Sequence, residues 1–160
     1  MILIDMALVV TIDAMPFEVK LVREKYPTWP PRIHTTYRGN VTTDEVVACI
    51  NSTISLLDQR TEPLDLVGIF EQDTNMSNAK GVLFQKPLLD QLTWHDNLDQ
   101  IVIVDLNKMI NGDFLKHSLQ TMLSKPELKI SIFSSMDELD AYLANKYAPA
   151  SHSTEPSSVE

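Results

Sequence analysis

The chain has 160 residues, 44% of them hydrophobic, the size of one ordinary domain with a core of its own. Thirteen Lys plus Arg against twenty-two Asp plus Glu leave a formal charge of −9. Nothing then offsets repulsion from nucleic-acid phosphates or an anionic lipid surface, so neither is expected as a partner. The single cysteine, Cys49, excludes an internal disulfide and a cysteine zinc site of ordinary spacing.

Residues 1–16 are expected to be an N-terminal extension or an extra strand. Met1 to Ile12 is apolar but holds Asp5, lacks a basic flank and is too short to span a bilayer. No small-residue cleavage site follows, so no signal peptide is expected, and Met6 is an alternative start. Phe17 to Val22 alternates Phe17, Val19 and Leu21 with Glu18 and Lys20, the pattern of a strand with one wet face. Tyr26 to Pro31 carries three prolines and reads as a stiff connection. Ile33 to Arg38 alternates again, with Ile33, Thr35 and Tyr37 on one side, and Gly39-Asn40 ends it. Two neighbouring strands joined by a loop predict an antiparallel pair.

Thr42-Thr43-Asp44-Glu45 is a capping box, and the helix it opens carries Val46, Ile50, Ile54 and Leu57 on one stripe. Cys49 lies beside that stripe and reads as a small buried hydrophobe. Leu64 to Phe70 is a nearly continuous apolar run, as in a strand covered on both faces. Ala79–Lys86 and Leu88–Trp94 read as helical pieces broken at Pro87. Gln100 to Leu106 is a strand, Asp113 to Leu123 a helix with Phe114, Leu115, Leu119 and Met122 inward, and Lys129 to Phe133 a strand. Ser135-Met136-Asp137-Glu138 repeats the capping signature before Leu139, Tyr142 and Leu143. Ala148 to Glu160, rich in Ser, Pro and Glu, has no apolar face and is expected to be a disordered tail.

The predicted order is therefore β-β-α-β-α-β-α-β-α over residues 17–147. It describes a single α/β domain, with helices covering a mixed, mostly parallel β-sheet of about five strands. In this order, and in several local strings, the chain resembles the STAS-like domains, relatives of the bacterial anti-sigma-factor antagonists. The strings are Tyr37-Arg38-Gly39-Asn40-Val41-Thr42, Trp94-His95-Asp96-Asn97-Leu98-Asp99-Gln100 before Ile101-Val102-Ile103-Val104, and Lys129-Ile130-Ser131-Ile132-Phe133 before Met136-Asp137-Glu138-Leu139. The resemblance implies a non-enzymatic module of bacterial signalling that works by protein–protein or small-ligand binding; composition and the single cysteine predict a cytoplasmic chain, and no cofactor is expected. Antagonists of that family carry a phosphorylatable serine in an Asp-Ser-Ser-Gly string. That string is absent here, and Ser77 lies nearest the matching place. Ser77 is thus a candidate phosphorylation site, opposed by Glu71 and Asp73, and equally a candidate helix N-cap.

The loop Asp73, Thr74, Asn75, Met76, Ser77 and Asn78 is the candidate partner-binding surface. Short polar groups crowd it, and Met76, Val82 and Phe84 supply apolar anchors unless they tuck into the core. A second copy of the chain is left open as a partner. One alternative is a module for a lipid or other apolar molecule lined by Trp29, Trp94, Phe84, Met76 and Met122. A further one is Mg²⁺-dependent phosphoryl transfer using Asp73 and Asp105, since strand carboxyl ends gather Glu71, Asp73, Asp105, Asn107, Ser134 and Ser135. That reading lacks a Gly-rich phosphate loop, the chain having only four Gly, and a Lys after the last strand. The histidines His34, His95, His117 and His152 are scattered, and the His117–Asp113 pair has no third group, so no metal site is expected.

Overall fold

The computed structural model describes residues 16–23, 30–108, 125 and 127–147, with only the backbone of Leu83 and Phe84. The expectations for residues 1–12, the helix at 113–123 and the tail at 148–160 lie outside these. So do Trp29, Met122, Asp113, His117 and His152.

In chain order the elements are β1 (Phe17–Val22), β2 (Arg32–Tyr37), α1 (Thr43–Asp58), β3 (Leu64–Phe70), a 3₁₀ helix (Ser77–Phe84), α2 (Lys86–Thr93), β4 (Leu98–Asp105), β5 (Lys129–Phe133) and α3 (Met136–Tyr147). The five strands form one sheet in sequence order, β1 antiparallel to β2 and every later neighbour parallel. The α/β class, the hairpin and the mostly parallel sheet follow the sequence reading. None of the helices is long and apolar enough to cross a membrane, among the described residues.

Each face of the sheet has its own core. On one, Ile33, Tyr37 and Leu66 meet Val46, Cys49, Ile50, Ile54 and Leu57 of α1, with Leu92 of α2. On the other, Val67, Ile69, Val102 and Val104 meet Leu139 and Leu143 of α3. Leu139 and Leu143 are wholly buried, and each contributes about 1.5–3 kcal/mol by leaving water. β2, second in the sheet, differs from the one-sided strand its alternation suggests: all six residues are buried.

Local signals set the helix starts. The amide of Glu45 donates to Thr42 Oγ1 at 3.2 Å and Glu45 Oε1 accepts from the Thr42 amide at 2.8 Å, which is the expected capping box. At α3 the Glu138 amide donates to Ser135 Oγ at 3.1 Å, while its carboxylate reaches one residue further back, to the Ser134 amide at 2.7 Å. Pro87 does not break a helix; it lies in the first turn of α2, where its missing N–H costs nothing. The segment before it is 3₁₀, not α. Gly81 explains its position: a Cβ there would lie 2.8 Å from Thr43 Oγ1, so the 3₁₀ helix rests directly on the start of α1. The Gly81 amide donates to that same hydroxyl at 3.1 Å.

The far end of α3 is clasped to the sheet. Asp65, 2% exposed, accepts from Lys146 Nζ at 3.2 Å and from the Tyr147 hydroxyl. Lys146 also donates to Asp99 at 2.9 Å. Burial alone would lower the Lys146 pKa, but its hydrogen bonds to Tyr147 and Asp99 and the charge of Asp65 outweigh it and hold the ammonium above the ordinary lysine value.

Candidate functional site

The loop after β3 stands at the carboxyl ends of the central strands, where open α/β sheets meet their ligands. Its backbone is tied down on both sides. The Tyr37 carbonyl accepts from the Glu71 amide at 3.0 Å and from Thr74 Oγ1 at 2.7 Å. The Asn75 amide donates to the Gly39 carbonyl at 2.8 Å, and the Asn75 carbonyl accepts from the Val41 amide at 3.0 Å. Gly39 has φ +65°, so a residue without Cβ makes the turn that presents its carbonyl. Side chains complete the frame: Asn75 Nδ2 donates to Asn40 Oδ1 at 3.0 Å, and Asn107 Nδ2 to the Thr74 carbonyl at 2.5 Å.

This framework sorts the predicted binding residues. Asp73, Asn75, Ser77 and Asn78 are exposed. Thr74 is 2% exposed and bonded into the frame, so it acts as a bolt. Met76 is half-buried and packs with Val82 against the core. Ser77 is not the N-cap. Met76 holds the cap position without a side-chain bond, and Asn75 Oδ1 accepts the Ser77 amide at 3.0 Å.

Beside the loop, Glu71, Gln72, Asp73 and Leu106 line an open depression of about 420 Å³. Arg38 Nε lies 3.7 Å from Glu71, and Arg38 Nη2 donates to Glu18 at 3.4 Å. Asp105 is 4% exposed, and its Oδ1 accepts the Lys108 amide at 3.0 Å. Asp73 by contrast is exposed. Among the described residues no group of three or more His, Cys, Asp or Glu side chains is placed to hold a metal ion.

The remaining titratable candidates are built into the fold. Cys49 is 1% exposed, and burial pushes its thiol up to about 12 against the hydrogen bonds of Tyr37 and Thr53. His95 sits between the Asn97 amide, which donates to Nδ1 at 3.1 Å, and Asp58, 2.7 Å from Nε2. That pattern fixes the tautomer with the proton on Nε2. Asn97 Nδ2 in turn donates to the Leu57 carbonyl at 2.9 Å, closing the end of α1.

One feature escaped the sequence reading. A partly open pocket of about 160 Å³ lies between the sheet and helices α1 and α2, with Gly68 of β3 among its lining residues. Neither Trp94, which is 49% exposed, nor Met76 is part of its wall. The available signal was the glycine inside the apolar run Leu64–Phe70. Compared with known proteins, the chain gives no significant match to a family model, a curated protein or a solved structure.

Proposed function

We propose that this chain is a regulatory or scaffolding module of bacterial signalling, STAS-like and cytoplasmic, that binds a protein partner through residues 73–78 and performs no chemistry of its own. The observation that carries this reading is the framing of the loop. Main-chain bonds to Gly39, Val41 and Tyr37 hold its backbone, while Asp73, Asn75, Ser77 and Asn78 remain exposed. A loop already ordered loses little conformational entropy on docking, and that saving appears as affinity. Because Met76 packs against the core, recognition falls to the polar side chains. The neighbouring Glu71 and Asp73 favour a partner surface rich in donors or positive charge. Phosphate on the exposed Ser77 hydroxyl would add negative charge beside them and switch such a contact off.

The test uses the full chain in its own cells, with a photo-crosslinking residue at Ser77 and, as control, at the exposed Gln59 beyond α1. A discrete crosslinked protein from position 77, absent from position 59 and lost when Asn78→Arg is added, is the expected result. Melting temperature should be unchanged by Asn78→Arg, since that side chain is exposed. Equal products from both positions, or none, would overturn the proposal. Met76→Asp is unsuitable as a probe here, because Met76 packs against the core and a carboxylate in its place should lower the melting temperature whether or not a partner binds.

A further inference from the structure

We infer that the cavity between the sheet and helices α1 and α2 is a binding site for a small, uncharged, largely apolar molecule about the size of one six-membered ring. This site is separate from the loop at 73–78 and does not depend on it. Gly68 is the first reason. It stands in the middle of β3, a strand paired on both sides, where glycine is normally disfavoured. No turn requires it, because Gly39 is the glycine with positive φ among the described residues. No neighbouring atom requires it either: a Cβ at Gly68 would meet only Thr35 Oγ1, at an ordinary 3.5 Å. Gly68 faces the same side of the sheet as Leu66 and Phe70 and is itself only partly buried. What the missing side chain leaves open is the cavity itself.

The volume and the walls define the occupant. The pocket measures about 160 Å³ and is partly open to the surface, so a small molecule can enter it. An apolar cavity of roughly 150 Å³ accommodates benzene or xenon, which sets the size of the occupant. Leu66, Phe70, Leu92 and Ile103 give apolar wall, and the Tyr37 ring stacks on Phe70 with centroids 5.1 Å apart. Among the described residues no charged side chain lines it, so an ion would lose its hydration without a partner. The threonine hydroxyls in the wall already donate to main-chain carbonyls: Thr53 to Cys49 at 2.9 Å, Thr93 to Leu89 at 3.0 Å, and Thr35 to Val67 at 3.5 Å. They keep lone pairs, so a single hydroxyl or N–H on the ligand would be met by an acceptor.

Titration of the full ¹⁵N-labelled chain with benzene and, separately, with benzoate tests the assignment. Benzene should give saturable shifts at the amides of Thr35, Thr53 and Gly68, and benzoate should bind at least tenfold more weakly. Gly68→Ala should raise the melting temperature, by part-filling the void and favouring the strand, and weaken benzene at least fivefold. Opposite signs on stability and binding are what a ligand cavity requires and a structural glycine does not produce. Benzene shifts that do not saturate, or a Gly68→Ala protein that binds benzene like wild type, would overturn the inference. So would a Gly68→Ala protein less stable than wild type, since the 3.5 Å clearance leaves no other source for the loss.

Discussion

Acid should destabilise this protein in part through one histidine, His34. The imidazole sits in β2 at 8% exposure, and its Nε2 accepts from Arg32 Nε at 3.0 Å. Lys20 lies opposite it on β1. Burial first, then the charges of Arg32 and Lys20, lower its pKa from 6.5 to about 3. With the folded value below the unfolded one, the unfolded chain binds the extra proton between those limits, so stability is lost as pH falls from 6.5 towards 3. At pH 5 the unfolded site is almost fully protonated and the folded site is not. The interval from 6.5 down to pH 5 then corresponds to about 2 kcal/mol. His34→Gln supplies an acceptor for Arg32 and does not titrate, so it isolates this effect. Urea unfolding of both proteins at pH 7.5 and pH 5 should show wild type losing about 2 kcal/mol more than the variant, carboxylate contributions cancelling in the difference. Equal losses, or an NMR titration of His34 with a midpoint near 6.5, would refute the reasoning.

Cys49, buried beside the α1 stripe with its thiol pushed up to about 12, should react with a thiol reagent only as fast as the domain opens; rapid labelling at pH 7.5 without denaturant would contradict its burial. Lys146→Met removes a counter-charge from the buried Asp65. Breaking a fully buried pair costs about 3–5 kcal/mol, but Lys146 is 29% exposed, so a loss of about 2 kcal/mol is expected by urea unfolding. The double variant with Asp65→Asn should recover part of that loss, and independent, additive effects would show that the clasp is not a coupled unit.

Elements with local signals were legible. The run Leu64–Phe70, the alternation from Phe17 to Val22 and the capping box at Thr42 each specify their element within a few residues. Features that depend on a distant neighbour were not. His34, followed in sequence by Thr35 and Thr36, looks like a surface residue, yet it is 8% exposed in the second strand of the sheet. The 3₁₀ helix packs through Gly81 against Thr43, a contact between residues far apart in the chain. Ser77 has the right chemistry for a cap, but Asn75, held by Asn40, takes its amide first.

The two candidate sites differ in legibility for a related reason. The loop at 73–78 is contiguous, so its polar crowding can be read directly. Which side chains reach solvent cannot, because Thr74 turns inward to a carbonyl contributed by β2. The cavity has no contiguous trace at all: Tyr37, Thr53, Gly68, Leu92 and Ile103 come from five different elements. Looking for an apolar site by its largest apolar residues leads to Trp94, which is 49% exposed, and to Met76, which fills core space. Volume opens where side chains are small. The residue that marks this cavity is therefore the one with no side chain, set among β-branched and aromatic neighbours that would otherwise have closed it.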